Sequence, residues 1–233
     1  MRRDDPKHDA LDTLASQAAF DAALRKIDDD AGFDAAHGLD TSTVVEPWQI
    51  EEADAATLEH NSRYSPTPLR TIRQALAASP VRHEDVSFVD FGSGKGRVLL
   101  VACELPFRSV IGVEFSRSLC ETSRRNIERF GTDRRRCGSI EVHHEDAARY
   151  AVPDDAGFFF LYEPFTETIT RAVLGNIRSS LLRRPRAAVL CLVGDDLLPV
   201  IARDPEWVRV GEVLASPDAA YFDTHLFSFE RRP

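Results

Sequence analysis

One stretch of the sequence carries residues of a kind and spacing that chemistry uses: Phe88-Val89-Asp90-Phe91-Gly92-Ser93-Gly94-Lys95-Gly96-Arg97. Glycines at alternate positions let a backbone turn tightly and come close to a ligand. Two phosphate-binding patterns have to be set against it. A Walker A loop needs a glycine five residues before Gly94 and Ser or Thr after Lys95, but Val89 and Gly96 stand there. A nicotinamide fingerprint, G-x-G-x-x-G, fails as well, because Arg97 occupies its third glycine position. What remains is D-x-G-x-G-x-G. An acidic residue ahead of the first glycine suits a ligand with an ammonium group in place of a pyrophosphate. Lys95, inside the loop, suits either a ligand carboxylate or an ordinary surface position.

Such a loop has to be held by a strand before it and a helix after it, and the sequence supplies both. From Ser87 onward, short apolar strands at Ser87–Phe91, Ser109–Phe115, Ile140–His143, Phe158–Tyr162 and Ala187–Val193 alternate with helical stretches at Gly96–Leu105, Ser118–Phe130 and Glu167–Leu182. Ser118 and Glu121 have the spacing of a capping box. Strands this apolar, interleaved with helices, indicate a parallel sheet covered on both faces. Trp207–Leu214 and Tyr221–Glu230, joined by Ala215-Ser216-Pro217-Asp218, read as an antiparallel hairpin. Ahead of all this, the apolar spacing from Leu11 to Ile27 suggests an amphipathic helix ending at Asp28–Asp30, Ala31–Pro47 reads as a loop, and Glu51–His60 as a second short helix. Thr67-Pro68 has the form of a helix start, hydroxyl cap then proline, with Leu69, Ile72 and Leu76 on one face until Ser79-Pro80. The expected architecture is α/β: a Rossmann-like, mostly parallel seven-strand sheet, five parallel strands plus the C-terminal hairpin, under an N-terminal helical lid.

With that plan and that loop, the sequence resembles the class I, seven-strand S-adenosylmethionine-dependent methyltransferases over about Tyr64 to Val193. The resemblance implies S-adenosylmethionine as cofactor, with Asp90, Gly92, Gly94 and Gly96 against its methionine and ribose parts. It implies that Glu114, ending the second strand 20 residues after Gly94, accepts hydrogen bonds from both ribose hydroxyls. Asp146, after the third strand, stands where the family reads the adenine amino group. The fourth strand ends in Tyr162-Glu163-Pro164-Phe165, where amine- and amide-methylating members often carry Asn/Asp-Pro-Pro-Tyr/Phe. Pro164-Phe165 matches that motif and Tyr162-Glu163 departs from it, so these four become substrate-side candidates, with Glu163 the catalytic one. Tyr64, in Tyr64-Ser65-Pro66-Thr67-Pro68, becomes a lid residue near the transferred group. The Y-x-P-T-P and V-D-x-G-S-G-x-G-R pattern is nearest to a group of bacterial methyltransferases, and its second half also resembles seven-strand protein-lysine methyltransferases.

Composition bounds the partners. Residues 1–60 hold 15 acidic against 5 basic side chains and the remaining 173 hold 23 against 24, so the whole net −9 comes from the N-terminal quarter. Nucleic-acid binding draws on cationic surface to displace counterions, so the balance argues against a dedicated nucleic-acid binder; Arg124, Arg125, Arg129 and Arg134–Arg136 read as a solvated helix end. No apolar run approaches a membrane span of roughly 20 residues. Cys103, Cys120, Cys137 and Cys191 are far apart in sequence with no C-x-x-C pair, which fits a reducing compartment and neither a disulfide scaffold nor a zinc ribbon. His143-His144-Glu145-Asp146 invites a metal, but neighbours on a strand point to opposite faces, so none is expected. His225, on the last strand, is a candidate for a base. The expectation is a cytoplasmic enzyme of two parts, an acidic helical extension at 1–63 and a cofactor-binding domain at 64–233. Its acceptor is a small molecule or a lysine-bearing protein, or, in a reading of another class, it binds the cofactor without transferring a methyl group. Oligomeric state is not readable from the sequence.

Overall fold

The computed structural model describes residues 31–50, 63–162, 165–213 and 223–231. Seven strands form one sheet in the order β3-β2-β1-β4-β5-β7-β6. They are β1 Ser87–Phe91, β2 Val110–Glu114, β3 Ile140–His144, β4 Ala156–Tyr162, β5 Val189–Val193, β6 Trp207–Val213 and β7 Thr224–Phe229. The first five pair in parallel. β7 runs against both of its neighbours, β5 and β6, so the hairpin inserts its second strand between β5 and its own first strand.

The strand residues explain this order. β1, β2 and β5 are buried along their whole length, as a sheet covered on both faces requires, and β4 is buried up to Tyr162. β3 and β6, the two edges, are only partly buried, and β6 carries a register irregularity between Arg209 and Gly211, a common way to blunt an exposed edge. Side chains leave the central strands alternately to two cores. Phe88, Phe158 and Phe160 go to one, beneath α2 (Leu69–Ala77), α3 (Arg97–Ala102) and α4 (Arg117–Phe130). Val89, Phe159, Leu161 and Leu190 go to the other, beneath α5 (Glu167–Arg183) and α6 (Leu198–Ala202). Phe88 lies 5.2 Å from Phe158 and 5.3 Å from Phe107 between ring centroids. Each such fully buried ring contributes roughly 1.5–3 kcal/mol.

Several local expectations are corrected. Residues 31–47 are not all loop: α1 spans Ala31–His37, with Phe33 buried and His37 stacked 5.1 Å from Phe130. Thr67 does not cap the next helix; Pro68 occupies the cap position with no side-chain hydrogen bond, and Thr67 is buried. The capping box of Ser118 and Glu121 does not form: Ser116 is the cap of α4 and its Oγ accepts from Leu119 N–H at 3.3 Å, while Ser118 lies inside the helix. α6, five residues long with a proline at its start, had no periodic signal to reveal it. The expected helices at 11–30 and 51–60 and the turn at 215–218 lie outside the described residues. Among the described residues no helix is long and apolar enough to cross a membrane.

The cap assignment is directly testable. Ser116→Ala should lower unfolding free energy by about 1 kcal/mol in a urea titration, whereas Ser118→Ala, at an exposed position, should change it by less than about 0.5 kcal/mol. The reverse ranking would restore Ser118 as the cap.

Candidate functional site

β1 stops at Phe91 and the chain turns through Gly92, Gly94 and Gly96, whose φ angles are +78°, +52° and +83°. Two of these positions are closed to any other residue for a second reason. A Cβ on Gly94 would lie 2.3 Å from two ring carbons of Tyr64, and one on Gly96 would lie 2.3 Å from Ser123 Oγ. Gly96 then serves as the left-handed cap from which α3 starts. Ser93, between the first two glycines, is buried and its Oγ has no hydrogen-bond partner.

Glu114 fastens this loop. As the last residue of β2 it accepts Gly94 N–H on Oε2 and Ser116 N–H on Oε1, both at 2.8 Å. A carboxylate offers about four acceptor sites, so with Phe115 N–H also favouring its charge it retains capacity for a further donor. Burial pushes the Glu114 carboxyl up against the hydrogen bonds that favour its charge. Asp90, one residue before the end of β1, is buried, and burial followed by repulsion from Glu114 pushes its carboxyl well above the ordinary range. Two buried carboxyls in one cradle call for a cation or for hydrogen-bond donors.

Asp146 lies two residues beyond β3. Its Oδ1 accepts Ala148 N–H at 2.9 Å, its Oδ2 stands 3.7 Å from Arg149 Nε, and its side chain is 40% exposed. Tyr162 ends β4 half-buried, and Phe165 packs against the second core. Glu163 and Pro164 lie outside the described residues. Asp90, the glycine loop, Glu114, Asp146 and Tyr162 therefore gather at the C-terminal ends of β1 to β4. β1 sits between β2 and β4, where the strand order reverses, the place at which open α/β sheets bind ligands.

The structure adds residues that sequence reasoning did not place. The segment after α1 lies across the glycine loop and is tied to it by polar groups. Lys95 is buried rather than at the surface, its Nζ 2.7 Å from Asp40 Oδ1 and 5.7 Å from the centre of the Tyr64 ring. Arg97, equally buried, donates from Nε to Thr41 Oγ1 at 2.8 Å and from an Nη to Ser42 Oγ at 2.6 Å. Thr41 in turn donates its hydroxyl to Asp34 at 2.6 Å. Burial alone would raise the Asp34 carboxyl, but the hydrogen bonds from Thr41 and Ser42 outweigh it and hold the carboxyl low. Asn126, from α4, donates to the carbonyls of both Asp40 and Lys95 at 2.9 Å and accepts Asp40 N–H. Tyr64 joins the same assembly: its backbone pairs with Val45 and its hydroxyl donates to Thr41 C=O at 2.7 Å. The phenol is thus committed to the strap while its ring covers Gly94. The Arg ending V-D-x-G-S-G-x-G-R was the one visible hint; nothing in the sequence ties Asn126 to residue 40.

His225 lies apart from this cradle. It is buried with Nε2 2.7 Å from Asp195 Oδ1 and Nδ1 2.7 Å from Arg209, so both ring nitrogens are engaged in pinning the hairpin to the end of β5. His143 Nε2 faces Glu141 at 3.3 Å, and among the described residues no group of three metal-ligating side chains forms.

No protein-family model and no curated protein matches the chain. Solved structures do. An RNA methyltransferase from Salinibacter ruber in complex with S-adenosylhomocysteine aligns at a TM-score of 0.53 and 17% identity, covering 72% of this chain and 95% of that one. A putative methyltransferase, yhhF, from Escherichia coli aligns at 0.51 and 16%, covering 71% and 89%. The O-methyltransferase region of StiE aligns at 0.51 and 14%, covering 70% and 75%. The fold is that of the class I S-adenosylmethionine-dependent methyltransferases. In this methyltransferase fold the strap of residues 38–45 and its anchors Lys95, Arg97 and Asn126 pack against the glycine loop, and the buried carboxyls of Asp90 and Glu114 lie beside it at the ends of β1 and β2.

The raised Asp90 carboxyl carries a stability consequence. In the unfolded chain it titrates near 3.8 and in the folded chain well above that. The folded state therefore holds the proton more tightly, so the contribution to stability is full below 3.8 and is lost as pH rises through the interval to the folded value. Asp90→Asn, which cannot ionise, should melt at a higher temperature than the wild type at neutral pH, with the gap closing as pH falls toward the ordinary carboxylate range. Parallel melting curves at every pH would show that Asp90 carries no ionisation cost.

Proposed function

We propose that the chain transfers a methyl group from S-adenosylmethionine to a small-molecule acceptor by direct in-line displacement. The observation that carries this reading is Glu114, a buried carboxylate already locked to Gly94 N–H with acceptor capacity to spare for a hydroxyl of a diol. The remaining groups fit the same ligand. Asp90 would face the ammonium group of its methionine part, Ser93 Oγ is an orphaned polar atom within the loop, and the partly exposed carboxylate of Asp146 would suit an adenine amino group.

When bound, S-adenosylmethionine supplies a methyl group on a cationic sulfur that is already a good leaving group. The chain has no bond to activate and has instead to hold the reacting groups in line and keep water out. The glycine loop and the strap behind it fix one end of that line. Glu163, with Tyr162, Pro164 and Phe165 at the end of β4, would hold the acceptor at the other. For an amine acceptor, which must arrive neutral, Glu163 would orient the nitrogen or take its proton. Tyr64 would contribute as a cover over Gly94, since burial pushes its phenol further from ionisation. A second reading, transfer to a lysine side chain of a protein, is favoured by the net −10 of residues 1–60, a charge suited to a cationic partner.

Calorimetric titration with S-adenosylmethionine and with S-adenosylhomocysteine tests the site. Micromolar binding of both is expected. Gly94→Arg should abolish it, and Glu114→Ala should weaken it at least about tenfold, or ~1.4 kcal/mol. Unchanged affinity in both variants would remove the site assignment. Glu163→Ala should retain wild-type affinity for the cofactor while kcat falls, and transfer of labelled methyl to metabolites or to lysine-bearing proteins separates the two acceptor readings.

A further inference from the structure

Cys103 and Cys137 are far apart in sequence and meet in the fold. Cys103 ends α3, and Cys137 lies in the connection between α4 and β3. Cys137 N–H donates to Cys103 C=O at 3.3 Å, and Arg136 N–H donates to the same oxygen at 2.8 Å. With standard bond lengths that contact keeps the two α-carbons within roughly 7 Å of one another, the upper end of the span a disulfide bridges. The side chains lie close as well: Cys137 packs against the core cluster that contains Cys103, while each thiol proton is directed to a nearby carbonyl, Cys103 to Leu100 C=O at 3.0 Å and Cys137 to Ser139 C=O at 3.3 Å. Cys103 is buried and Cys137 partly exposed, so a small reagent reaches one thiol first.

The surroundings favour reaction at Cys137. The neighbouring Cys103 side chain holds its thiol below the ordinary range, with the Arg135 cation adding to the effect against burial. Arg135 is itself anchored, donating to Ile127 C=O, while its buried Nε has no partner. An anchored guanidinium beside a thiol stabilises the thiolate, which is the nucleophilic form.

We propose that Cys103 and Cys137 form a dithiol–disulfide pair that hydrogen peroxide oxidises in the folded protein. The Cys137 thiolate attacks one peroxide oxygen, the O–O bond breaks, and the departing hydroxide takes a proton to become water, leaving a sulfenic acid on Cys137. The Cys103 sulfur then attacks the Cys137 sulfur, the S–O bond breaks, and a second water leaves with the Cys103 proton. Two thiols lose two electrons and two protons, and one peroxide becomes two waters. The buried Cys103 is shielded from the reagent and placed to resolve the first product. Both residues lie at the end of α3 away from the glycine loop, roughly 9 Å along a six-residue helix, so the chemistry is separate from methyl transfer.

The full chain is exposed to hydrogen peroxide, its fold checked by circular dichroism, and then denatured and mass-tagged with a maleimide. Free thiols should fall from four to two, with a cross-linked peptide joining Cys103 to Cys137 that dithiothreitol reverses. In Cys103→Ser the sulfenic acid on Cys137 should persist and be trapped by dimedone. Retention of all four thiols, a cross-link through Cys120 or Cys191, or direct passage of wild-type Cys137 to sulfinic acid without a bridge would overturn the pairing. The wild-type peptide map decides the matter even if a variant fails to fold.

Discussion

Glu114 accepts one backbone N–H from the glycine loop and one from the start of α4, and through these two bonds a single side chain joins β1, β2 and α4 at one point. Both bonds are charge-assisted and lie in a buried place, where such bonds are strong and costly to lose. The loop alone has little to fix it, since glycines surrender the most backbone freedom on folding. Glu114 therefore does two things with one group. It holds the loop in its left-handed turns, and it presents its remaining lone pairs on the open side of the sheet.

The strap works on the other side of the same loop. Lys95 and Arg97 extend from the loop into residues 40–42 and carry buried positive charge there, balanced by Asp40 and, through Thr41, by Asp34. On the open side, Asp90 and Glu114 carry carboxyl groups that burial opposes. Cations are paired behind the loop, while in front of it burial works against the charge of both acids. That asymmetry is what a binding site for a cationic, hydroxyl-bearing ligand would require: the supporting side is complete within the chain, and the receiving side is stable only in part without help.

The sheet was legible because its signals are local. Ser87–Phe91, a continuous apolar run followed by alternating glycines, needs no distant contact to be read as a strand entering a tight turn, and both its ends fall where the pattern places them. Glu114 was legible for a similar reason, as the last residue of the second such run. The hairpin strands were read within a few residues, but their order was not: nothing local says that β7 lies inside β6, because that choice is made by which face meets β5. Helix starts proved less readable. Ser116 and Ser118 both offer a hydroxyl, and the decision falls to the first because Glu114 already fixes Ser116 N–H at the end of β2. The strap was not legible at all. Asp40, Lys95 and Asn126 are ordinary surface residue types, and their contacts, with the burial of Lys95 and Asn126, follow only from tertiary approach across 55 and 86 positions of chain.

Tyr64 shows how these levels bear on one another. Its ring occupies the space that any Cβ at position 94 would need, its hydroxyl is spent on Thr41, and its backbone pairs with Val45. A substitution at Gly94 would therefore strain the left-handed turn and displace Tyr64, and displacing Tyr64 would release Thr41, on which Arg97 and Asp34 both depend. Damage entering at one glycine spreads through contacts rather than along the sequence, and it reaches the strap before it reaches either core. The glycine loop is thus constrained from behind by packing and from in front by Glu114, so its shape is set before any ligand arrives. That preorganisation lowers the entropy that binding must offset, and behind the loop it is achieved by the strap and its anchors.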